Sequence, residues 1–376
     1  KIMFMRIAVI GSGISGLSAA YFLGKNHEVT IFEKSDRLGG HTHTHQLELE
    51  TKIKVDSGFI VLNNKNYKNL MKFFKEIDID LYQTEMSFSV NSKSLIWNSK
   101  EFFNFSFLTS LKKIKLLIDI VRFNYLAKNL KSKENIGEWL KTFKFSNLFV
   151  ESYLLPMTSA IWSSTSKEIK NYPAESMNNF LNNHGLLNLY DRPQWYSVLG
   201  GSSTYVEKLL DLKVFNVKLN SEVKINRSEN KIFISNKDES YEFDLLIMAN
   251  HPNQILECIV DLNEKEKNAI DSIKYQKNIT ILHGDESLMP KDKKKWCSWN
   301  VYKDENYEYV TYWMNNLQKI NTNKNIFVTL GDFPKPNFIF NEMEYEHPIF
   351  DFKALMGQKK FKDCLLYTSP SPRDCQ

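Results

Sequence analysis

The chain has 376 residues, 49 Lys plus Arg against 44 Asp plus Glu, a net charge of +5 and 42% hydrophobic residues. So mild and evenly spread a charge excludes a nucleic-acid surface, which needs clustered cations interleaved with stacking aromatics, and the apolar content excludes disorder as the main state. No run approaches the roughly 18 apolar residues of a spanning helix, and the apolar start meets glycines instead of a cleavage site, so the sequence reads as a soluble cytoplasmic protein of two domains or one large interrupted one.

The first strand-like residues begin at Arg6, which makes Met3 or Met5 the expected start. Arg6 to Ile10 is a short apolar run ending in Gly11-Ser12-Gly13-Ile14-Ser15-Gly16, and Ile14, Leu17, Ala20 and Tyr21 then recur at helical spacing. Glu28 to Glu33 reads as a second strand. Strand, glycine turn, helix, strand and terminal acid make up a dinucleotide-binding unit of about 30 residues. Gly11 serves the tight turn, Gly13 the close approach of a pyrophosphate, and Gly16 the packing of helix on strand. The helix N-terminus, at Ser15, offers unpaired N–H groups to the anion, and Glu33 can accept hydrogen bonds from a ribose diol. Glycine turns are common, but this one has its full context. No Walker lysine follows, and no GxSxG elbow occurs anywhere in the chain.

Lys34 and then Arg37-Leu38-Gly39-Gly40-His41 follow directly. A second glycine pair lets another loop pass close to the same pyrophosphate, with Arg37 as countercharge. At this point the sequence resembles the flavin-containing amine oxidase superfamily, which carries a double-glycine motif after the acid. The form with His41 is similar to a bacterial amine oxidase-like branch. Further similar segments are Val55 to Ile60, Leu154 to Met157, Ala160 to Ser163, Asn183 to Leu187, Asp191 to Trp195, Trp296 to Trp299, Val310 to Asn315 and Tyr345 to Pro348. The resemblance implies FAD as cofactor, a Gly200-Gly201-Ser202 turn leading back into the flavin domain, and Val223 as the valine whose backbone contacts adenine. It also implies a lysine that orients a water beside the flavin, for which Lys277 is the nearest candidate; the bland reading of Lys277 is an exposed surface lysine.

His41, His43 and His45 alternate and would share one face of an extended segment, but no carboxylate or thiol completes a metal set. From Ser106 to Lys133, apolar residues at Leu108, Leu111, Ile114, Leu117, Val121 and Tyr125 have the period of an amphipathic helix, with a basic face of Lys112, Lys113, Lys115, Arg122 and Lys128. Peripheral membrane contact is one meaning of that face and a solvated surface the commoner one. The tryptophans lie outside the nucleotide unit, mostly as core; His184, Trp195, Tyr312 and Trp313 are placed near a substrate cavity. Leu245 to Ala249 reads as a buried parallel strand, and Tyr309 to Met314 and Ile326 to Leu330 as strands of a second sheet.

Four scattered cysteines without CxxC spacing give neither a disulfide framework nor a zinc site, and Cys364 to Asp374 resembles a translated sequencing adapter. Residues 364–376 are accordingly read as a non-native tail on a C-terminally truncated fragment. The glycine-containing strand and helix that close the flavin site in the superfamily are not supplied after Tyr345. The expected architecture is α/β: an interrupted Rossmann-type FAD-binding domain from 5–66 and 199–252, and an α+β substrate domain from 67–198 and 253–350. The expected function is an FAD-dependent oxidoreductase that removes hydride from a C–N or C–C bond of a small or lipid-like substrate. A non-catalytic flavin- or NAD(P)-binding protein and an isoprenoid or fatty-acyl desaturase or isomerase are the alternatives. Amine specificity would show as an aromatic cage, lipid specificity as a long apolar tunnel walled by the helix near Leu111 to Tyr125.

Overall fold

Strand Arg6–Ile10, helix Ile14–Gly24 and strand Glu28–Phe32 form as their pattern dictates. They belong to a computed structural model describing residues 3–101, 110–128, 130–188, 192–228, 231–237 and 239–364. The tail beyond Cys364 and the predicted apolar position Leu108 lie outside the described residues. Arg6–Ile10 pairs in parallel with Glu28–Phe32 on one side and Leu245–Met248 on the other, and Asn216–Lys218 extends the sheet beyond Glu28–Phe32. Alternation along the first strand serves both faces. Ile7 and Val9 pack with Leu17, Ala20, Phe73 and Phe74, whereas Ala8 and Ile10 pack with Ile225, Ile234 and Phe243. The latter three come from an antiparallel sheet of Lys224–Arg227, Ile232–Ser235 and Ser240–Phe243, which covers the second face.

Leu245–Met248 pairs as expected but is not fully buried; Leu245 is 41% exposed. It has a described neighbour on one side only, and edge position, not composition, sets its burial. The Lys68–Glu76 helix, read as the start of the substrate portion, sends Phe73 and Phe74 into the core of the parallel sheet.

The second sheet has seven strands in the order Ile339–Pro348, Tyr275–His283, Phe327–Asp332, Glu308–Trp313, Trp299–Lys303, Phe88–Ser92, Ile96–Asn98. It reaches well beyond the two strands expected from the sequence, and Phe88–Ser92 from much earlier in the chain joins it in parallel with Trp299–Lys303. Those early strands are short and rich in Ser and Asn, with Val90 and Trp97 as their buried members, so their period-2 signal is faint. After Tyr345 the chain completes the last strand and forms the helix Phe352–Cys364, whose Gly357 backs so closely on Ser272 that a Cβ there would stand 1.6 Å from its hydroxyl.

The predicted amphipathic helix forms at Leu111–Ala127 with the opposite orientation. Leu116, Ile120, Phe123 and Ala127 face the core with Trp139 and Phe149, while Leu111, Val121 and Tyr125 of the stripe picked out from the sequence are exposed and Leu117 is half-buried against the core. The helix carries two apolar stripes, and the one with Phe123 reaches more partners.

Asp56 ties these parts together. It is wholly buried, and its carboxylate accepts hydrogen bonds from Ser202 N (2.9 and 3.0 Å), Ser202 Oγ (2.8 Å), Gln318 Nε2 (2.7 Å) and Thr44 Oγ1. Ser202 and Ser203 open the helix Ser203–Asp211, so the carboxylate also sits at a helix N-terminus. Burial nonetheless pushes its pKa up to about 6 against these donors. Asp56→Ala strands buried donors from three segments, and we expect denaturant unfolding to show a loss of about 3 kcal/mol or more.

Buried histidines add an acid dependence. His283 accepts from Asp285 N at Nδ1 (3.1 Å) and so donates from Nε2 to Thr329 Oγ1 (2.8 Å), a neutral arrangement. Burial, only partly opposed by Asp285, holds its pKa down at about 4; burial and then Arg37 hold His45 at about 4. The unfolded chain takes up protons below about pH 6.5 that the fold refuses, so stability is complete above that value and falls as pH drops toward about 4. Melting temperatures across this window should slope steeply in the wild type and less steeply in a His45→Gln, His283→Asn variant.

Candidate active site

The glycine turn is built by contacts no side chain would permit. Gly11 has φ +97° and donates its N–H to Phe32 O at 2.9 Å. A Cβ on Gly16 would stand 2.0 Å from Gly11 O, so helix Ile14–Gly24 lies directly on the turn. Gly13 differs: its backbone is extended, and nothing lies within 4 Å of where its Cβ would be. Internal packing asks for no glycine there, and the space in front of the uncapped first turn, which includes Ser15, is what the missing side chain leaves open.

Glu33 closes the turn. Its Oε2 accepts from Ser12 N (3.0 Å) and Ser12 Oγ (2.6 Å), and its Oε1 from Ser35 N (2.9 Å). The second glycine pair approaches the first: a Cβ on Gly40, itself at φ +58°, would lie 3.3 Å from Gly13 Cα, and Gly39 N donates to Ser12 O at 3.0 Å. Arg37 holds that loop by donating to Gly40 O (2.8 Å), Thr42 O (3.1 Å) and Leu38 O (3.4 Å), and it lines the same space. Lys34, His41 and Val223 border it as well.

From this cradle a continuous cavity of about 2740 Å³ runs toward the seven-stranded sheet. His184, Trp195 and Tyr312 line it. His184 is buried, its Nδ1 donates to Phe180 O at 2.9 Å, and its ring stacks on Phe180 at 3.9 Å; burial lowers its pKa, so it is neutral. Tyr312 meets Trp299 edge to face at 4.8 Å. The far walls are apolar, with Met157, Ile161 and Phe180 opposite Leu117, Ile120 and Val121 of the Leu111–Ala127 helix. Four polar atoms of lining residues, Asn250 Oδ1, His251 Nδ1, Thr280 Oγ1 and Trp299 Nε1, are buried with no hydrogen-bond partner.

Two expected residues are placed elsewhere. Trp313 follows Tyr312 on one strand and therefore points to the opposite face, where it meets Trp296 and donates to Asn325 Oδ1 at 3.1 Å. Lys277 reaches the cavity rim, but its ammonium is 2.8 Å from Glu344 and two-thirds exposed, because the paired strand Ile339–Pro348 presents acids along this edge. His43 and His45 turn their nitrogens to Tyr345 Oη (3.1 Å), Ser57 Oγ (2.7 Å) and Asn341 Nδ2 (3.0 Å).

The sequence reading missed His251. Its ring stacks on Tyr275 at 4.6 Å and lies 5.4 Å from that of His41, and its Nδ1 is 3.5 Å from Glu346. Burial lowers its pKa against the pull of Glu346. The signal was available: His251 comes just after the carboxyl end of a parallel strand adjoining the first, where ligands of such sheets gather.

A sequence model of the family described as flavin containing amine oxidoreductase matches residues 14–296. An L-amino-acid oxidase of Sistrurus catenatus edwardsii is 38% identical over 84 residues, which span 19% of this chain and 16% of that protein. An uncharacterized protein of Methanocaldococcus jannaschii is 29% identical over 166 residues, 42% of each chain. Among solved structures, a putative protoporphyrinogen oxidase from Exiguobacterium sp. 255-15 superposes with a TM-score of 0.68 at 13% identity, covering 98% of this chain and 96% of that one. A fatty acid isomerase from P. acnes gives 0.68 at 15% identity, covering 96% and 90%. These likenesses establish the α/β fold, and the match over most of the length, with the double glycine cradle, shows that the chain belongs to the flavin-containing amine oxidoreductase family.

Proposed function

We propose that the protein is an FAD-dependent oxidoreductase that withdraws hydride from a C–C or C–N bond of a lipid-like substrate. The observation that carries this reading is the single cavity that begins at Gly13 and Gly40 and ends between apolar helices. Gly11, Gly13, Ser15 and Gly16 would hold the pyrophosphate at the helix N-terminus, with Arg37, Gly39 and Gly40 closing on it from the other side. Glu33 would meet a ribose and Val223 adenine in this reading, which their position on the lining of the same space as Lys34 and His41 supports. Residues 5–66 and 199–252, with the Lys68–Glu76 helix packed beneath them, would form the FAD-binding part, and most of the remainder the substrate part.

A bound flavin would accept two electrons in the form of one hydride, the second hydrogen of the oxidised bond leaving as a proton. The chain's own contribution is enclosure and orientation. Met157, Ile161 and Phe180 exclude water and grip an apolar chain, while Thr280 Oγ1 and Trp299 Nε1, buried and unpartnered, are suited to a polar group of the substrate. Neutral His184 and His251 can accept or donate without carrying charge into the cavity. Lys277, held outside by Glu344, is given no role, and neither is Trp313. Apolar walls supplied by Leu117, Ile120 and Val121 favour a lipid-like substrate over a small amine.

Gly13→Ala tests the cofactor part. Its backbone accepts alanine and its Cβ meets no protein atom, so we expect an unchanged melting temperature of the flavin-free protein with about tenfold weaker FAD binding by fluorescence quenching. Undiminished FAD binding would place the pyrophosphate elsewhere. For the substrate part, the FAD-loaded protein is mixed under exclusion of oxygen with fatty-acyl compounds and with primary amines. Bleaching of the flavin by an acyl compound, slowed about tenfold or more by Ala160→Trp, which narrows the apolar end, is expected. Bleaching by amines alone would reassign the substrate, and none with any compound would leave a flavin-binding protein without catalysis.

A further inference from the structure

The Leu111–Ala127 helix leaves an apolar stripe uncovered. Leu111, Ile118, Val121 and Tyr125 are 85%, 62%, 47% and 80% exposed, and with half-buried Ile114 they fall on one side of the helix, opposite the face formed by Leu116, Ile120, Phe123 and Ala127. Contiguous apolar side chains of this size on a soluble surface mark a contact site.

The charges beside the stripe identify what it contacts. Lys115 flanks it on one side and Lys128 on the other, with Lys112 near its start, while the guanidinium of Arg122 turns back to donate to Phe143 O and to cover the Phe145 ring. Lys112 and Lys113 occupy the first turn, where the helix dipole disfavours cations and where the helix has no acid. The one acidic residue of the helix, Asp119, is turned inward to accept from Ser146 N. The outer surface of the helix thus presents an apolar centre with basic margins and no negative charge, the chemistry of a helix lying in the interface of an anionic bilayer. The helix is also continuous with the site, since Val121 belongs both to the exposed stripe and to the cavity wall that Leu117 and Ile120 complete.

We propose that the Leu111–Ala127 helix docks the protein on an anionic lipid surface, with its apolar stripe in the headgroup boundary and the cavity opening behind it. A substrate with an acyl chain could then pass from bilayer to cavity beside Val121 without crossing water. Docking itself does not depend on the flavin or on turnover, so it stands or falls separately from the proposed activity.

The test is co-sedimentation of the full chain with phosphatidylcholine vesicles, with and without phosphatidylglycerol. Binding only to the vesicles with phosphatidylglycerol, weakened by salt, is expected. Ile118→Glu and Tyr125→Ser, both at exposed positions away from the cavity, should each lower the bound fraction about tenfold while leaving melting temperature and FAD binding unchanged. Lys115→Glu should weaken binding and make it less dependent on phosphatidylglycerol. No binding to the anionic vesicles, or binding that Ile118→Glu and Tyr125→Ser leave intact, would overturn the proposal. So would a dimer in sedimentation equilibrium that Ile118→Glu converts to monomer, because the stripe would then be an interface between two copies.

Discussion

A single carboxylate, that of Asp56, holds three distant parts of the chain in one arrangement. It receives donors from Thr44, Ser202 and Gln318, which come from the segment after the second glycine pair, from the turn that re-enters the parallel sheet, and from the region beside the seven-stranded sheet. Gln318 also accepts from Asp56 N at 2.8 Å, so the two residues clasp each other. A buried charge is tolerated only where its hydrogen-bonding capacity is filled, and here filling it requires all three segments at once. The position of the second glycine pair against the first, and of the cavity behind both, follows from that constraint. Gly201, at φ +90° with Thr44 Cγ2 2.7 Å from where its Cβ would be, allows the turn to come that close.

Much of the nucleotide end was legible in the sequence because its signals are local. Gly11, Gly13, Gly16 and Glu33 fall within one βαβ unit, and the geometry that needs glycine at Gly11 and Gly16 is set by neighbours a few residues away. Further along, function depends on pairing that local pattern does not contain. Tyr312 and Trp313 are equal candidates until the face of their strand is known, and only Tyr312 faces the cavity. Lys277 is disarmed by Glu344, 67 positions later, through strand pairing no periodicity reveals. The helix at Leu111–Ala127 was found correctly and oriented wrongly, because it carries two apolar stripes and the sequence does not say which meets Trp139. Asp56 looked like one more acid in a motif, since its donors are separated from it by 12 to 262 positions.

The cavity divides its chemistry by region. At the glycine loops it is bordered by the N-terminus of helix Ile14–Gly24 and by Arg37, an environment for anionic groups. Toward the sheet, burial lowers the pKa of His184 and His251, and the Lys277–Glu344 ion pair and Glu346 stand at the border. A few buried polar atoms of its lining, such as Thr280 Oγ1, have no partner in the protein.

The pairing of strand Arg6–Ile10 with Leu245–Met248 also bears on how the chain is made. The first strand to leave the ribosome must wait for one of its two neighbours until almost 240 further residues have been synthesised, and Phe88–Ser92 likewise waits for Trp299–Lys303. The described strands of the parallel sheet are all made once Met248 has emerged, whereas the seven-stranded sheet needs residues up to Pro348. Such long-range parallel pairings fold slowly and leave strand edges open in the meantime. The seven-stranded sheet, and with it that side of the cavity, is therefore the last to be completed, and during synthesis its early strands Phe88–Ser92 and Ile96–Asn98 depend on whatever in the cell keeps unpaired edges apart.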